Sequence, residues 1–330
     1  MNLPETLQKC RERTADKLAQ LITGLTDAGA PTIVSARACV YATGSLGRGE
    51  MSERSDLDIF ILRDRNVASP LTNLDEICLK ARLVEVARQQ KYEDFSGDGK
   101  YLKAHDVKED LIGKLGTSED DSTNVFTARM LLLLESRPIL GADIYKQAID
   151  LVVSLYWRDY AQNSTNFLPL FLINDILRFW KTLCLNYEER TGAEKHTKPG
   201  KRRLHNYKLK HSRLLTCYSG IIYLQAILCR DGGTVSPKAV MDMVSRTPTE
   251  RLEDVAGWQP SMEPAVQKIM DGYAKFLQIC DANKPDLEES FSDPGFKQAR
   301  FTEAKHFGDD VFHLLHLLTT GTELLRYLVI

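Results

Sequence analysis

The residues best suited to chemistry lie between positions 43 and 58. The run Thr43-Gly44-Ser45-Leu46-Gly47-Arg48-Gly49-Glu50 is followed shortly by Ser55-Asp56-Leu57-Asp58. Glycines at 44, 47 and 49 let the backbone approach a ligand and adopt dihedrals closed to other residues. The N–H groups of such a turn form an anion-binding nest. The Ser45 hydroxyl can donate to a phosphate oxygen. Asp56 and Asp58 are two apart, so on an extended segment they point to the same face. Adjacent carboxylates repel unless a cation sits between them, and their hard oxygens suit Mg²⁺ or Mn²⁺. The expected chemistry is a metal–triphosphate site, in which bound cations bridge nucleotide phosphates during an in-line displacement. Arg48, in the basic turn, is expected to help hold the nucleotide. The competing structural reading is a glycine-rich hairpin with two solvated aspartates.

Such a site needs strands on both sides of the turn. Residues 32–43 are rich in β-branched and small side chains and read as a strand; Leu57–Leu62, LDIFIL, reads as a second, buried strand. Helices are expected over 5–28 and 74–90, the latter with Leu74, Ile77, Cys78, Ala81, Val84 and Val86 on its apolar face. Residues 101–107, YLKAHDV, read as a third strand, and 107–115 and 122–135 as helices. From about 143 onward the elements read as helix: 143–163, 167–190, 206–230, 236–245, 262–281 and 297–329. Only GGTVS looks extended there, and 192–205 reads as a polar, mobile loop. The expected fold class is α+β. A mixed sheet with flanking helices would fill residues 1–141, and a mostly helical domain residues 142–330.

Composition narrows the classes further. The chain has 330 residues, 43% hydrophobic and 27% charged, as in ordinary globular proteins. A formal net charge of -2 argues against a globally basic nucleic-acid binder, and DNA is not an expected partner. The N-terminus is charged throughout and lacks the apolar run of a signal peptide. The greasy stretches near 168–180 and 311–330 are broken by polar residues, so no membrane span is expected. Seven widely spaced cysteines without a CxxC pair suit a reducing, cytoplasmic compartment and no structural zinc.

The pattern Gly44-Ser45, Gly47-Arg48-Gly49-Glu50, Ser55-Asp56-Leu57-Asp58 resembles the polymerase-β-like nucleotidyltransferase superfamily. It is most similar to the PII-uridylyltransferase and related nucleotidyltransferases. A weaker similarity is Glu135-Ser136-Arg137-Pro138-Ile139-Leu140-Gly141, like a helix end downstream of the active site in that group. The resemblance implies transfer of a nucleoside monophosphate from an NTP to a hydroxyl, with release of pyrophosphate. It implies Gly44 and Ser45 at the triphosphate and Asp56 and Asp58 on both metals. It also implies a third carboxylate, a metal ligand and general base, from a later strand. Asp98 is the choice by spacing, with Asp94 and Asp106 as rivals.

In that superfamily a helical region closes over the nucleotide. Here Asn174, Arg178 and Lys181 share a helix face, and Arg178 or Lys181 is expected at the phosphates, with internal ion pairing the alternative. Residues 195–213 carry eight Lys/Arg and no Asp/Glu. Within them Lys208 and Ser212 resemble a phosphate-supporting helix of related enzymes, and RNA binding is the competing use of the charge. His313 and His316 read as core or interface histidines. The resemblance favours a protein hydroxyl as acceptor, with a nucleotide or RNA as alternatives. A second-messenger synthetase and a non-catalytic nucleotide sensor are the other readings.

Overall fold

The computed structural model describes residues 1–92, 95, 102, 104–192, 197–322 and 326. They divide into two compact units. One is Lys9–Arg158; the other is Met1–Gln8 with Asp159–Ile330. The division falls after the helix Ala142–Tyr156 rather than at residue 141. That helix buries Ile144, Ala148, Ile149, Val152 and Val153, and Gly141 before it lies so close to Ala38 and Cys39 that a Cβ would not fit. The helix therefore belongs with the sheet.

The sheet has four strands in the order β3-β2-β1-β4: β1 Ala38–Ala42, β2 Ile59–Arg63, β3 Ala104–Asp106 and β4 Arg137–Leu140. β1 is central and antiparallel to β2 and β4, while β2 and β3 are parallel. All five residues of β1 are buried. Helix α1 Glu5–Asp27 and α2 Ala30–Val34 precede the sheet. Helix α3 Gly44–Arg48 follows β1 and α4 Asn73–Gln89 follows β2. Leu21, Leu25, Val40, Leu46, Ile59, Ile61, Leu79 and Leu83 close one core on the face made by alternate strand residues.

Several expected elements differ. The predicted strand 32–43 is split: Ala30–Val34 is a helical turn and only Ala38–Ala42 is strand. β4 was hidden because Pro138 weakens a strand pattern. The proline sits on an edge strand, where a missing N–H is tolerated. α4 buries Leu79, Leu83, Val86 and Ala87, so of the expected face only Val86 is in the core and Val84 packs beside it. Leu74 and Ile77 are 74% and 62% exposed. A capping box at Thr72 with Asp75, and ion pairs from Arg37 to Asp75 and Arg63 to Glu76, set the helix rotation. The stretch after β3 is a π-helical turn, Val107–Ile112, and then α5 Ser118–Ser122 and α6 Val125–Glu135 are separated by Asn124 at positive φ. Helix α7 is Ala142–Tyr156.

The second unit is helical throughout its described residues, apart from loops. It comprises α8 Leu170–Gly192, α9 Pro199–Lys208, a π-helical segment Leu209–Arg213, α10 Leu214–Arg230, α11 Pro237–Ser245, α12 Pro248–Trp258, α13 Glu263–Cys280, α14 Lys284–Ser290 and α15 Pro294–Thr319. Helix begins at Pro199, so most of the predicted loop 192–205 that is described is ordered. α12 is a helix beyond those expected from periodicity, and Thr247-Pro248-Thr249-Glu250 is its capping box with proline at the first helical position. GGTVS is a turn leading into a loop rather than an extended segment, with Gly232 and Gly233 at positive φ; Val235 N donates one bond to Phe167 O at 2.8 Å. α10 is buried nearly all round, as a central helix must be. The continuous helix Pro199–Arg230 is long and apolar enough to cross a membrane, and 72% of its most apolar window is buried within the protein.

Candidate active site

The glycine-rich turn is packed rather than loose. From Ala38 to Met51 every residue is buried except Ser45, which is half-buried. Thr43, still extended, donates its N–H to Asp58 O at 2.9 Å. Gly44 then turns to φ +64°, α3 begins, and Gly49 ends it at φ +74°. Glu50 N closes the loop on Ser45 O at 2.8 Å. A Cβ on Gly44 would strike Asp58 Oδ2, and one on Gly47 would strike the carbonyl oxygen of Glu135. The glycines are thus explained by close approach as well as by dihedral. Ser45 is the one residue of the turn that is not buried, at the first turn of α3.

Asp56 and Asp58 flank the buried Leu57 and are both exposed. They precede β2 rather than lie in it. The alternation still holds, so both carboxylates share a face with Phe60. On that face Tyr41 and His105 stack on the Phe60 ring at 5.5 and 6.3 Å. The close approach of Gly44 to the Asp58 carboxylate brings the turn and the carboxylate pair together. Among the described residues no group of three or more His, Cys, Asp or Glu side chains converges on a metal position. Two exposed hard-oxygen ligands nevertheless suit Mg²⁺, which commonly takes one or two carboxylates and completes its shell from substrate phosphates and water.

Arg48 is not where the sequence reading put it. It is 7% exposed. Its Nε donates to Glu50 Oε2 at 2.9 Å and its Nη1 to Glu135 Oε2 at 2.7 Å. Glu135 is itself buried, and its Oε1 accepts from Gly44 N at 3.3 Å. The guanidinium is drawn inward because two buried carboxylates require a cation.

Two further residues position the turn. Glu135, which the sequence offered only as part of the weaker similarity, is one. Thr14 is the other: its Oγ1 accepts from Met51 N at 2.9 Å, and neighbouring Arg13 reaches Met51 O at 3.3 Å. Both bonds tie α1 to the segment leading to Asp56. A signal existed, since Thr14 interrupts the apolar row Leu7, Leu21, Leu25 at helical spacing.

Among the candidates for the third carboxylate, Asp106 is excluded. It pairs with Arg63, five residues beyond Asp58 along β2, so about 16 Å separates them at the usual rise per residue. Its Oδ1 caps the π-helical turn by accepting from Lys108 N and Glu109 N at 2.9 and 2.8 Å. Asp94 and Asp98 lie outside the described residues.

In the helical unit, Asn174 and Lys181 are exposed on α8, and Arg178 is half-buried and pairs with Asp175 at 3.4 Å. The alternative of internal ion pairing therefore applies to Arg178. Lys208 and Ser212 lie one helical turn apart but differ in exposure: Lys208 is exposed and Ser212 is buried, its hydroxyl donating to Lys208 O at 3.1 Å. Ser212 is thus not available to a phosphate. The basic run is also dispersed. Arg202 pairs with Glu188 at 3.0 Å, Arg203 donates to Phe291 O at 2.9 Å, and Lys210 lies over the Phe301 ring at 5.3 Å. His313 and His316 are exposed on α15, not in its core.

Residues 31–120 match the model of the nucleotidyltransferase domain family. The matched span contains the glycine-rich turn and both aspartates, and it supports a polymerase-β-like nucleotidyltransferase domain in the sheet-containing unit. No curated protein and no solved structure matches the chain.

Proposed function

We propose that this protein is a metal-dependent nucleotidyltransferase that moves a nucleoside monophosphate from an NTP to a hydroxyl acceptor. The observation that carries the reading is the contact of Gly44 with the Asp58 carboxylate inside the span that matches the nucleotidyltransferase family. In this reading Gly44, the first-turn amides of α3 and the Ser45 hydroxyl bind the triphosphate. Asp56 and Asp58 hold Mg²⁺ or Mn²⁺, which when bound neutralises charge on the phosphates during displacement. The bond from the α-phosphorus to the pyrophosphate oxygen breaks and one to the acceptor oxygen forms. The acceptor proton passes to a base, for which Asp98 is the proposed residue. Lys181 and Lys208, and Arg178 once released from Asp175, are proposed as further phosphate contacts.

The resemblance to the PII-uridylyltransferase group favours a protein side chain as acceptor, giving AMPylation or UMPylation. A second-messenger synthetase would use the same turn and carboxylates. All seven cysteines are free thiols, which supports a reducing compartment and the proposed cytoplasmic location. The second reading is a sensor that binds nucleotide without turnover, which would gain weight if none of Asp94, Asp98 and Asp106 served Asp56 and Asp58.

One experiment separates these readings. Each α-labelled NTP is incubated with Mg²⁺ or Mn²⁺ and either wild type or Asp56→Ala/Asp58→Ala. Pyrophosphate release and label transfer, lost in the double variant, are expected. Metal-dependent binding without turnover, with protein, RNA and nucleotide acceptors all supplied, favours the sensor. No binding of any NTP overturns the proposal.

A further inference from the structure

We propose that Arg48, Glu50 and Glu135 form a positioning device that sets the Gly44–Ser45 turn, with Arg48 acting through Glu135 rather than on the phosphates. The inference rests on the nucleotidyltransferase reading of the turn. Glu135 is the last residue of α6 and meets the turn at two points. Its carbonyl oxygen lies under Gly47, where no Cβ fits, and its carboxylate lies under Gly44. The two carboxylate oxygens have separate tasks. Oε2 takes the charge-assisted bond from Arg48 Nη1 at 2.7 Å, and Oε1 takes Gly44 N at 3.3 Å. Glu50 accepts Arg48 Nε at 2.9 Å and, through its own N–H, clasps Ser45 O at 2.8 Å. Arg48 thereby joins both ends of the turn, residues 44 and 50, to one guanidinium. All three side chains are almost wholly buried, where a planar guanidinium bound on two edges fixes orientation better than an ammonium.

The arrangement makes a prediction that a direct phosphate contact does not. Without the guanidinium, the Glu135 carboxylate loses the charge-assisted bond that orients it and keeps its negative charge beneath the turn that receives a polyanion. Removing that carboxylate's charge as well then removes the cause of the damage.

The test is a double-mutant cycle in the full chain, using Arg48→Met, Glu135→Gln and the double variant. Affinity for the Mg²⁺–NTP that wild type binds is read by calorimetry, turnover by pyrophosphate release, and folding by circular dichroism. Arg48→Met is expected to weaken binding about tenfold or more, with KM raised further than kcat is lowered. The double variant is expected to bind no worse than Arg48→Met, and Arg48→Lys to recover part of the loss. Should Arg48→Met fail to fold, Arg48→Lys with Glu135→Gln supplies the same cycle. Losses that multiply in the double variant would place Arg48 on the phosphates and overturn the inference. Folded variants with wild-type affinity would overturn it too. In both cases the nucleotidyltransferase reading stands, because wild type still binds. Wild type that binds no Mg²⁺–NTP removes that reading and the inference together.

Discussion

Gly44 carries two constraints at once, and they can be separated by substitution. Its φ of +64° disfavours any residue with a Cβ, and the Asp58 carboxylate occupies the place a Cβ would take. Gly116 has φ +75° but open space around it. Gly116→Ala should therefore lower stability by about 1–2 kcal/mol, the left-handed backbone cost alone, and leave nucleotide affinity unchanged. Gly44→Ala should also displace Asp58 and lower metal-dependent nucleotide affinity at least about tenfold, or about 1.4 kcal/mol. Chemical denaturation and calorimetric titration of both variants check this, and equal behaviour would sink the argument. At this scale the sequence was informative: glycine type and the Asp-x-Asp spacing are local properties. The inward turn of Arg48 was not legible, because its partner Glu135 is 87 residues away.

At the scale of elements, two buried polar groups hold helices in place. Arg129 on α6 makes a bidentate pair with Asp120 on α5 at 2.9 and 2.7 Å, and also reaches Tyr156 Oη on α7 at 3.1 Å. Arg129 and Asp120 are essentially inaccessible. Asp120→Ala takes the bidentate carboxylate from that buried guanidinium and should cost about 3–5 kcal/mol, read as a lower urea midpoint at unchanged slope. A loss below 1 kcal/mol would mean that water reaches the pair.

The other group is His211, in the π-helical segment of the second unit. It stacks on Phe276 at 4.6 Å and on Phe307 at 4.8 Å, with Tyr207 alongside at 4.5 Å. Burial pushes its pKa down to about 4, against the small upward pull of the bond to Tyr207 O. Unfolded His titrates near 6.5, so between about 6.5 and 4 the unfolded chain binds a proton that the folded chain does not. Stability from this group is full above pH 6.5 and falls as pH drops, by up to about 3 kcal/mol. His211→Phe should flatten that part of the pH profile, measured by denaturant midpoints from pH 7 to 4. Parallel profiles would assign the acid sensitivity elsewhere.

At the scale of the molecule, the chain holds a sheet-containing unit, Lys9–Arg158, and a helical unit. Mg²⁺–nucleotide should slow amide hydrogen exchange over residues 43–51. Protection extending over 174–185 would support Arg178 and Lys181 as phosphate contacts; exchange unchanged there would remove both from the site. The short-range features of this protein were determined by the sequence itself. The turn, the carboxylate pair, the α+β class and most helices follow from spacing and periodicity, which act within a few residues. Tertiary structure alone decided which face of α4 is buried, that Pro138 lies on a strand, that Arg48 serves Glu50 and Glu135, and that Ser212 is enclosed. Each of these depends on partners distant in sequence, and burial and charge compensation are settled only when those partners meet.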